Sequence, residues 1–170
     1  MRRNLWLVGM MGAGKSAVGN RVAKALDLTF VDVDSEVAAR TGCSIATLWG
    51  DVGEEAFRDM EASAVSRIAT GDGQVVATGG GVVLRDENVA AMQGSGLTVW
   101  LRADTKTLAR RIEPDGSRPL LSEADPRARL DEILDERRHR YTAAASAVID
   151  TDELTVDEVA SKLEAMWNDS

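Results

Sequence analysis

Residues Gly9-Met10-Met11-Gly12-Ala13-Gly14-Lys15-Ser16 carry the spacing G-x-x-x-x-G-K-S. Glycines at these positions leave backbone N–H groups bare, so the chain can close around a phosphate with no side chain in the way. Lys15 adds a point charge for the β- and γ-phosphates, and the Ser16 hydroxyl is placed to ligate Mg²⁺. Together they make a site for a nucleoside triphosphate. Other residues could serve a second substrate. Asp32-Val33-Asp34 offers two carboxylates, one to hold the waters of Mg²⁺ and one to accept a proton or hydrogen bond from a hydroxyl. Alternatively Asp34, followed by Ser35, caps the next helix.

Three further groups are read in the same way. In Phe57-Arg58-Asp59-Met60-Glu61 the arginine and Glu61 are three residues apart, so on a helix they meet. That pair is either a guanidinium oriented to grip a substrate carboxylate or an ordinary surface ion pair. Thr78-Gly79-Gly80-Gly81 spends three consecutive glycines, which suits close approach of backbone to a ligand or a flexible turn. Arg110, Arg111, Arg118, Arg127, Arg129, Arg137, Arg138 and Arg140 crowd one quarter of an otherwise acidic chain. Some belong to a solvated helix face, interleaved with Asp131, Glu132, Asp135 and Glu136; others are free to hold anions.

These residues need a scaffold. Apolar strand-like runs at 4–8, 29–32, 75–78, 97–101 and 147–150 alternate with helical patterns. The helices are expected at 15–26, 34–41, 45–50, 54–70, 84–92, 104–112, 126–145 and 155–167. Regular alternation means βα units and an α/β fold with a five-stranded parallel sheet, helices on both faces. Ligands in such sheets sit beyond the carboxyl ends of the strands. The phosphate loop, the two aspartates and the glycine triplet all directly follow strands. Strand alternation points Asp32 and Asp34 the same way. Glu113 to Pro126 has no sustained apolar period, and a loop of that length in a compact domain reads as a lid, with Arg118 at its centre.

The chain has 170 residues, enough for one domain with its own core, and is 44% apolar and 28% charged. A formal net charge of −8 argues against nucleic acid as the main partner. The single cysteine, Cys43, excludes an internal disulfide and fits a reducing cytoplasm. No run approaches a membrane span, and the apolar stretch after Arg3 is the strand feeding the phosphate loop rather than a signal peptide.

The phosphate loop, D-x-D, F-R-x-x-E, T-G-G-G and the Arg118-Pro119-Leu120-Leu121 string occur in the order found in shikimate kinases, and the chain resembles that family over about residues 4–150. The resemblance implies a single three-layer P-loop kinase domain over 1–170 with a mobile lid at about 112–125. It implies ATP-dependent phosphorylation of the 3-hydroxyl of shikimate, by a cytoplasmic monomer. Gly12, Ala13, Gly14, Lys15, Ser16, Ala17, Arg111 and Arg118 would bind ATP, and Ser16 and Asp32 would serve Mg²⁺. Asp34, Arg58, Gly80 and Arg137 would bind shikimate, with Glu61 supporting Arg58 and Trp49 against the ring. Asp34 would be the base, with Lys15 and Arg118 on the transferred phosphate. Arg137 follows from Glu136-Arg137 and Tyr141, which resemble the family's E-R-x-x-x-Y. A gluconate kinase would lack the glycine triplet and paired arginines. A GTPase-like switch would need N-K-x-D and D-x-x-G, which do not occur.

Overall fold

The computed structural model describes residues 4–112 and 125–169. The expected lid and Arg118 lie outside the described residues. Five strands, β1 (Asn4–Val8), β2 (Thr29–Asp32), β3 (Gln74–Ala77), β4 (Gly96–Arg102) and β5 (Ala147–Asp150), form one sheet in the order β2-β3-β1-β4-β5. Every pairing is parallel, with Leu5 opposite Val75 on one side and Leu97 on the other. The helices are α1 (Lys15–Leu26), α2 (Val33–Thr41), α3 (Ile45–Ala69), α4 (Asp86–Ser95), α5 (Thr105–Arg111), α6 (Pro126–Ala144) and α7 (Val156–Asn168).

Topology decides which face each helix covers. The step from β1 to β2 runs one way along the sheet, and the later steps through β3, β4 and β5 run the other way. With right-handed crossovers, opposite directions put the connecting helices on opposite faces. So α1 covers one face, joined by α7, while α3, α4 and α6 cover the other. The central strand β1 is buried on both sides, as a parallel strand between two helical layers must be. Leu7 lies under α1, where Gly19 gives up its side chain: a Cβ there would stand 2.7 Å from Phe30 and 3.3 Å from Leu7. Trp6 points to the other layer and donates its indole N–H to Ser95 Oγ at the end of α4, 3.0 Å away.

Two local features set up the site. Gly12 and Gly14 adopt left-handed backbone, φ 80° and 91°, so the loop can turn its N–H groups inward and hand over directly to α1. The 45–50 and 54–70 helices are one element, α3, interrupted at Gly53 (φ 81°, ψ 170°). The short first arm of α3 carries Trp49 and the long second arm carries Arg58 and Glu61. At the far end α7 starts with a reciprocal cap, Thr155 bonded to Glu158 N–H and Glu158 to Thr155 N–H. Among the described residues no helix is long and apolar enough to cross a membrane.

Candidate active site

One cavity of about 780 Å³ opens at the carboxyl edge of the sheet. The phosphate loop, the β2–α2 junction, both arms of α3, the glycine triplet after β3, Arg111 of α5 and Arg137 of α6 all line it. Of the loop residues, Ala13 is buried behind the wall and does not line the cavity; Gly12, Gly14, Lys15, Ser16 and Ala17 do.

On the phosphate-loop side, Lys15 Nζ donates to the carbonyls of Gly9 and Met10, 2.8 Å each, which draws the ammonium into the concave side of the loop. Ser16 Oγ donates to Asp32 Oδ2 at 2.8 Å. The other oxygen of Asp32 accepts from Ser35 N–H, so Asp32, not Asp34, caps α2. This corrects the strand-alternation reading. Extended structure ends at Asp32 because its side chain opens a helix there, and Asp34 reaches the cavity from the first turn of α2. A hydroxyl beside one carboxylate is an oxygen donor set that fits Mg²⁺, which takes few protein ligands and completes its shell with phosphate and water. Arg111 donates to Thr151 Oγ1 (3.1 Å) and to the Thr151 carbonyl (2.6 Å), which fixes its guanidinium at this end of the cavity.

The opposite side is built around Arg58. Its NH1 donates to Glu61 Oε2 at 2.9 Å and its NH2 to Glu54 Oε1 at 3.4 Å. The guanidinium lies 5.2 Å from the Trp49 ring centre and 5.4 Å from that of Phe57. Glu61 is 0% exposed and Arg58 7%, so this is not a surface pair. A guanidinium held by a carboxylate at its side and aromatic rings beside it keeps its planar fork in one orientation. Burial pushes the Glu61 carboxyl above the usual glutamate range, and Arg58 and Arg137 pull it partway back. The Asp34 carboxyl is also pushed up, first by burial and then by the charge of Asp32, against the pull of Lys15 and Arg58.

The glycine triplet fits between these groups. A Cβ on Gly81 would stand 2.1 Å from Arg58 NH2, and one on Gly79 would stand 2.8 Å from Glu61 Oε1 and 3.0 Å from Asp34 Oδ1. Gly80 has room, its nearest neighbours being 3.6 Å away. Space therefore demands glycine at 79 and 81. Arg137 is buried on α6 and lines the cavity with Arg58. Other members of the arginine-rich stretch serve the surface: Arg129 pairs with Glu132, Arg138 with Asp135 and Arg140 with Asp86.

The structure thus gathers Gly12, Lys15, Ser16, Asp32, Asp34, Arg58, Gly80, Arg111 and Arg137 around one space. Sequence reasoning missed three contributors. Glu54 was legible as the i−4 neighbour of Arg58. Thr151, which anchors Arg111 from 40 residues away, left no local signal. Neither did the bond from Tyr141 to the Gly80 carbonyl across 61 residues.

A sequence model of the shikimate kinase family matches residues 11–167. The chain is 44% identical to the shikimate kinase of Symbiobacterium thermophilum over 94% of its own length and 93% of that protein. It is 42% identical to the shikimate kinase of Thioalkalivibrio sulfidiphilus, covering 94% and 84%. Among solved structures, the shikimate kinase of Acinetobacter baumannii in complex with shikimate superposes with a TM-score of 0.95 at 30% identity, over 100% of this chain and 96% of that one. A phosphate loop, a buried arginine fork and a glycine triplet on one sheet edge, in a chain with these relatives, place it in the shikimate kinase family.

Proposed function

We propose that this chain transfers the γ-phosphoryl group of ATP to the 3-hydroxyl of shikimate, forming shikimate 3-phosphate on the route to chorismate and the aromatic amino acids. The observation that carries this reading is one cavity with a phosphate loop at one side and two buried arginines, Arg58 and Arg137, at the other. Shikimate has a matching polarity, with a carboxylate at one end and hydroxyls at the other. Arg58 and Arg137 take the carboxylate. Asp34, on the path between them and the loop, accepts a hydrogen bond from the reacting hydroxyl and then its proton as the new O–P bond forms and the bond to the leaving β-phosphate oxygen breaks. Little covalent help is needed for such a transfer; alignment and charge neutralisation supply most of the rate.

Lys15 neutralises charge on the β- and γ-phosphates, a role that the family resemblance also gives to Arg118. Ser16 and, through water, Asp32 would hold Mg²⁺, which supplies the remaining positive charge on the phosphates when bound. Arg111, with its guanidinium held by Thr151, borders the nucleotide side. The test is ADP release by the purified chain with shikimate and gluconate supplied separately. Acceleration by shikimate alone is expected. No acceleration, or an equal response to gluconate, refutes the assignment.

A further inference from the structure

Tyr141 lies outside the cavity, yet it touches both of its walls. It sits one helical turn after Arg137 on the same face of α6, fully buried, with its ring stacked on Trp100 at 5.3 Å between centres and 21° between planes. Its hydroxyl donates to the carbonyl of Gly80. Gly80 in turn lies beside the phosphate loop, with room to spare: a Cβ there would stand 3.6 Å from Gly9 O, Met11 N and Tyr141 Oη alike. Gly9 O is also one of the two carbonyls that hold the Lys15 ammonium. The phenol and Gly80 therefore lie between the α6 turn bearing Arg137 and the loop carrying Lys15.

We propose that Tyr141 is a positioning residue that holds the acceptor-binding wall in register with the phosphate loop, and so sets the separation between the acceptor hydroxyl and the γ-phosphate. The inference rests on the reading of the cavity as a two-substrate kinase site. Two features give it this role. The hydroxyl fixes a carbonyl in the middle of a segment of three glycines, where backbone freedom is greatest and an unheld peptide would drift. The stacked, buried ring anchors that bond to β4, the strand hydrogen-bonded to β1 and its phosphate loop. Tyr141 is not an acid or base. Burial pushes its phenol up to about 12, with Arg137 and Arg58 pulling it down and Glu61 pushing it up, so it stays protonated through the working range. Its contribution is geometric, and phosphoryl transfer is sensitive to geometry: a misplacement of about 1 Å costs on the order of a hundredfold.

The test compares Tyr141→Phe, which removes only the hydroxyl, with Thr155→Ala, which breaks the α7 cap away from the cavity and lowers stability alone. For each purified variant, ADP and phosphorylated shikimate are measured in the same reaction, together with thermal melting. For Tyr141→Phe the expected result is a kcat lower by about tenfold, and by no less than about threefold, with the KM for ATP unchanged. The ratio of ADP to phosphorylated acceptor should rise above one, because a misaligned acceptor lets water compete for the γ-phosphate. Thr155→Ala should keep that ratio at one. Loss of stability alone lowers the active fraction and leaves the ratio untouched. A ratio of one in Tyr141→Phe, a fall in kcat smaller than about threefold, or the same rise in Thr155→Ala each overturns the proposal. Failure of the wild-type chain to phosphorylate shikimate would instead refute the assigned reaction.

Discussion

Gly81→Ala is the sharpest probe of how the acceptor wall is built. The added Cβ would stand 2.1 Å from Arg58 NH2, 2.3 Å from its Cζ and 2.4 Å from NH1. Restoring an ordinary contact of roughly 3.5 Å requires the guanidinium to retreat by about 1.4 Å. An arginine tip on the surface would swing aside at little cost. This one is confined by the rings of Trp49 and Phe57 and bonded at 2.9 Å to a glutamate that water does not reach. Moving it breaks that bond and leaves Glu61 buried beside a displaced partner. Overpacking of this kind costs about 1–3 kcal/mol, and a buried charge that loses its partner costs about 3–5 kcal/mol, so roughly 2–4 kcal/mol is expected for a partial displacement. In a domain of this size that lowers the melting temperature by about 5–15 °C.

The kinetic signature separates the two substrates. Displacing the fork should raise the KM for shikimate by about tenfold or more, while the KM for ATP stays near its wild-type value, since none of the phosphate loop is touched. The comparison for stability is Gly80→Ala, whose Cβ meets nothing closer than 3.6 Å and should melt close to wild type. Thermal melts and initial rates with shikimate varied at saturating ATP read both quantities. Wild-type melting together with a wild-type KM for shikimate would refute the claim that Arg58 is held in one place.

Asp34→Asn should bind ATP normally and lose turnover by more than about a hundredfold, as expected for loss of the group that takes the hydroxyl proton. The same substitution should raise the melting temperature near pH 7. Burial lifts the folded-state pKa of Asp34 above 3.8, so its favourable contribution exists below the unfolded value and disappears as pH rises through the folded one. A variant that melts below wild type at pH 7 contradicts this. For the wild type, kcat/KM for shikimate should fall on acidification at a pH above the ordinary aspartate value of 3.8, the direction set by the same burial; a limb at or below that value refutes the role of Asp34 as the working carboxylate. Arg58→Lys should raise the KM for shikimate by about tenfold at an unchanged KM for ATP, because an ammonium cannot reproduce the fork, and an unchanged KM removes Arg58 from the site. Thr155→Ala breaks the α7 cap and should cost about 1 kcal/mol in a melt with kcat intact; loss of activity in the folded variant would mean α7 does more than brace α1.

What was legible in the sequence was what short-range rules control. The phosphate loop was readable because its chemistry is backbone geometry, and Gly12 and Gly14 announce that geometry by residue type. The break in α3 was readable because Gly53 interrupts the helical period. Pairing of Arg58 with Glu61 followed from their spacing, but whether the pair was a surface ornament or a buried clamp depended on what packs over it. The phrase D-x-D misled on mechanism. Both aspartates reach the cavity, yet strand alternation is not the cause, since Asp32 ends the strand by capping α2. Contacts such as Arg111 with Thr151 and Tyr141 with Gly80 link segments that only the sheet order brings together, and no local pattern encodes them.

The two sides of the cavity differ in the buried side-chain atoms that no other protein group pairs. On the phosphate-loop side, Lys15 and Ser16 bond to the loop's own carbonyls and to Asp32. On the acceptor side, Asp34 Oδ1, Arg58 Nε and Glu61 Oε1 are buried without a hydrogen-bond partner; among the described residues the one other such atom is Thr98 Oγ1 on β4. On the proposed reading, an acceptor bearing hydroxyls and a carboxylate supplies partners for these atoms on binding, whereas a molecule lacking those groups does not. Discrimination among acceptors, on that same reading, comes more from pairing Asp34 Oδ1 and Arg58 Nε than from the shape of the cavity. On this ground an acceptor analogue without its carboxylate should lose far more than one that keeps the carboxylate and loses a ring carbon's worth of apolar contact.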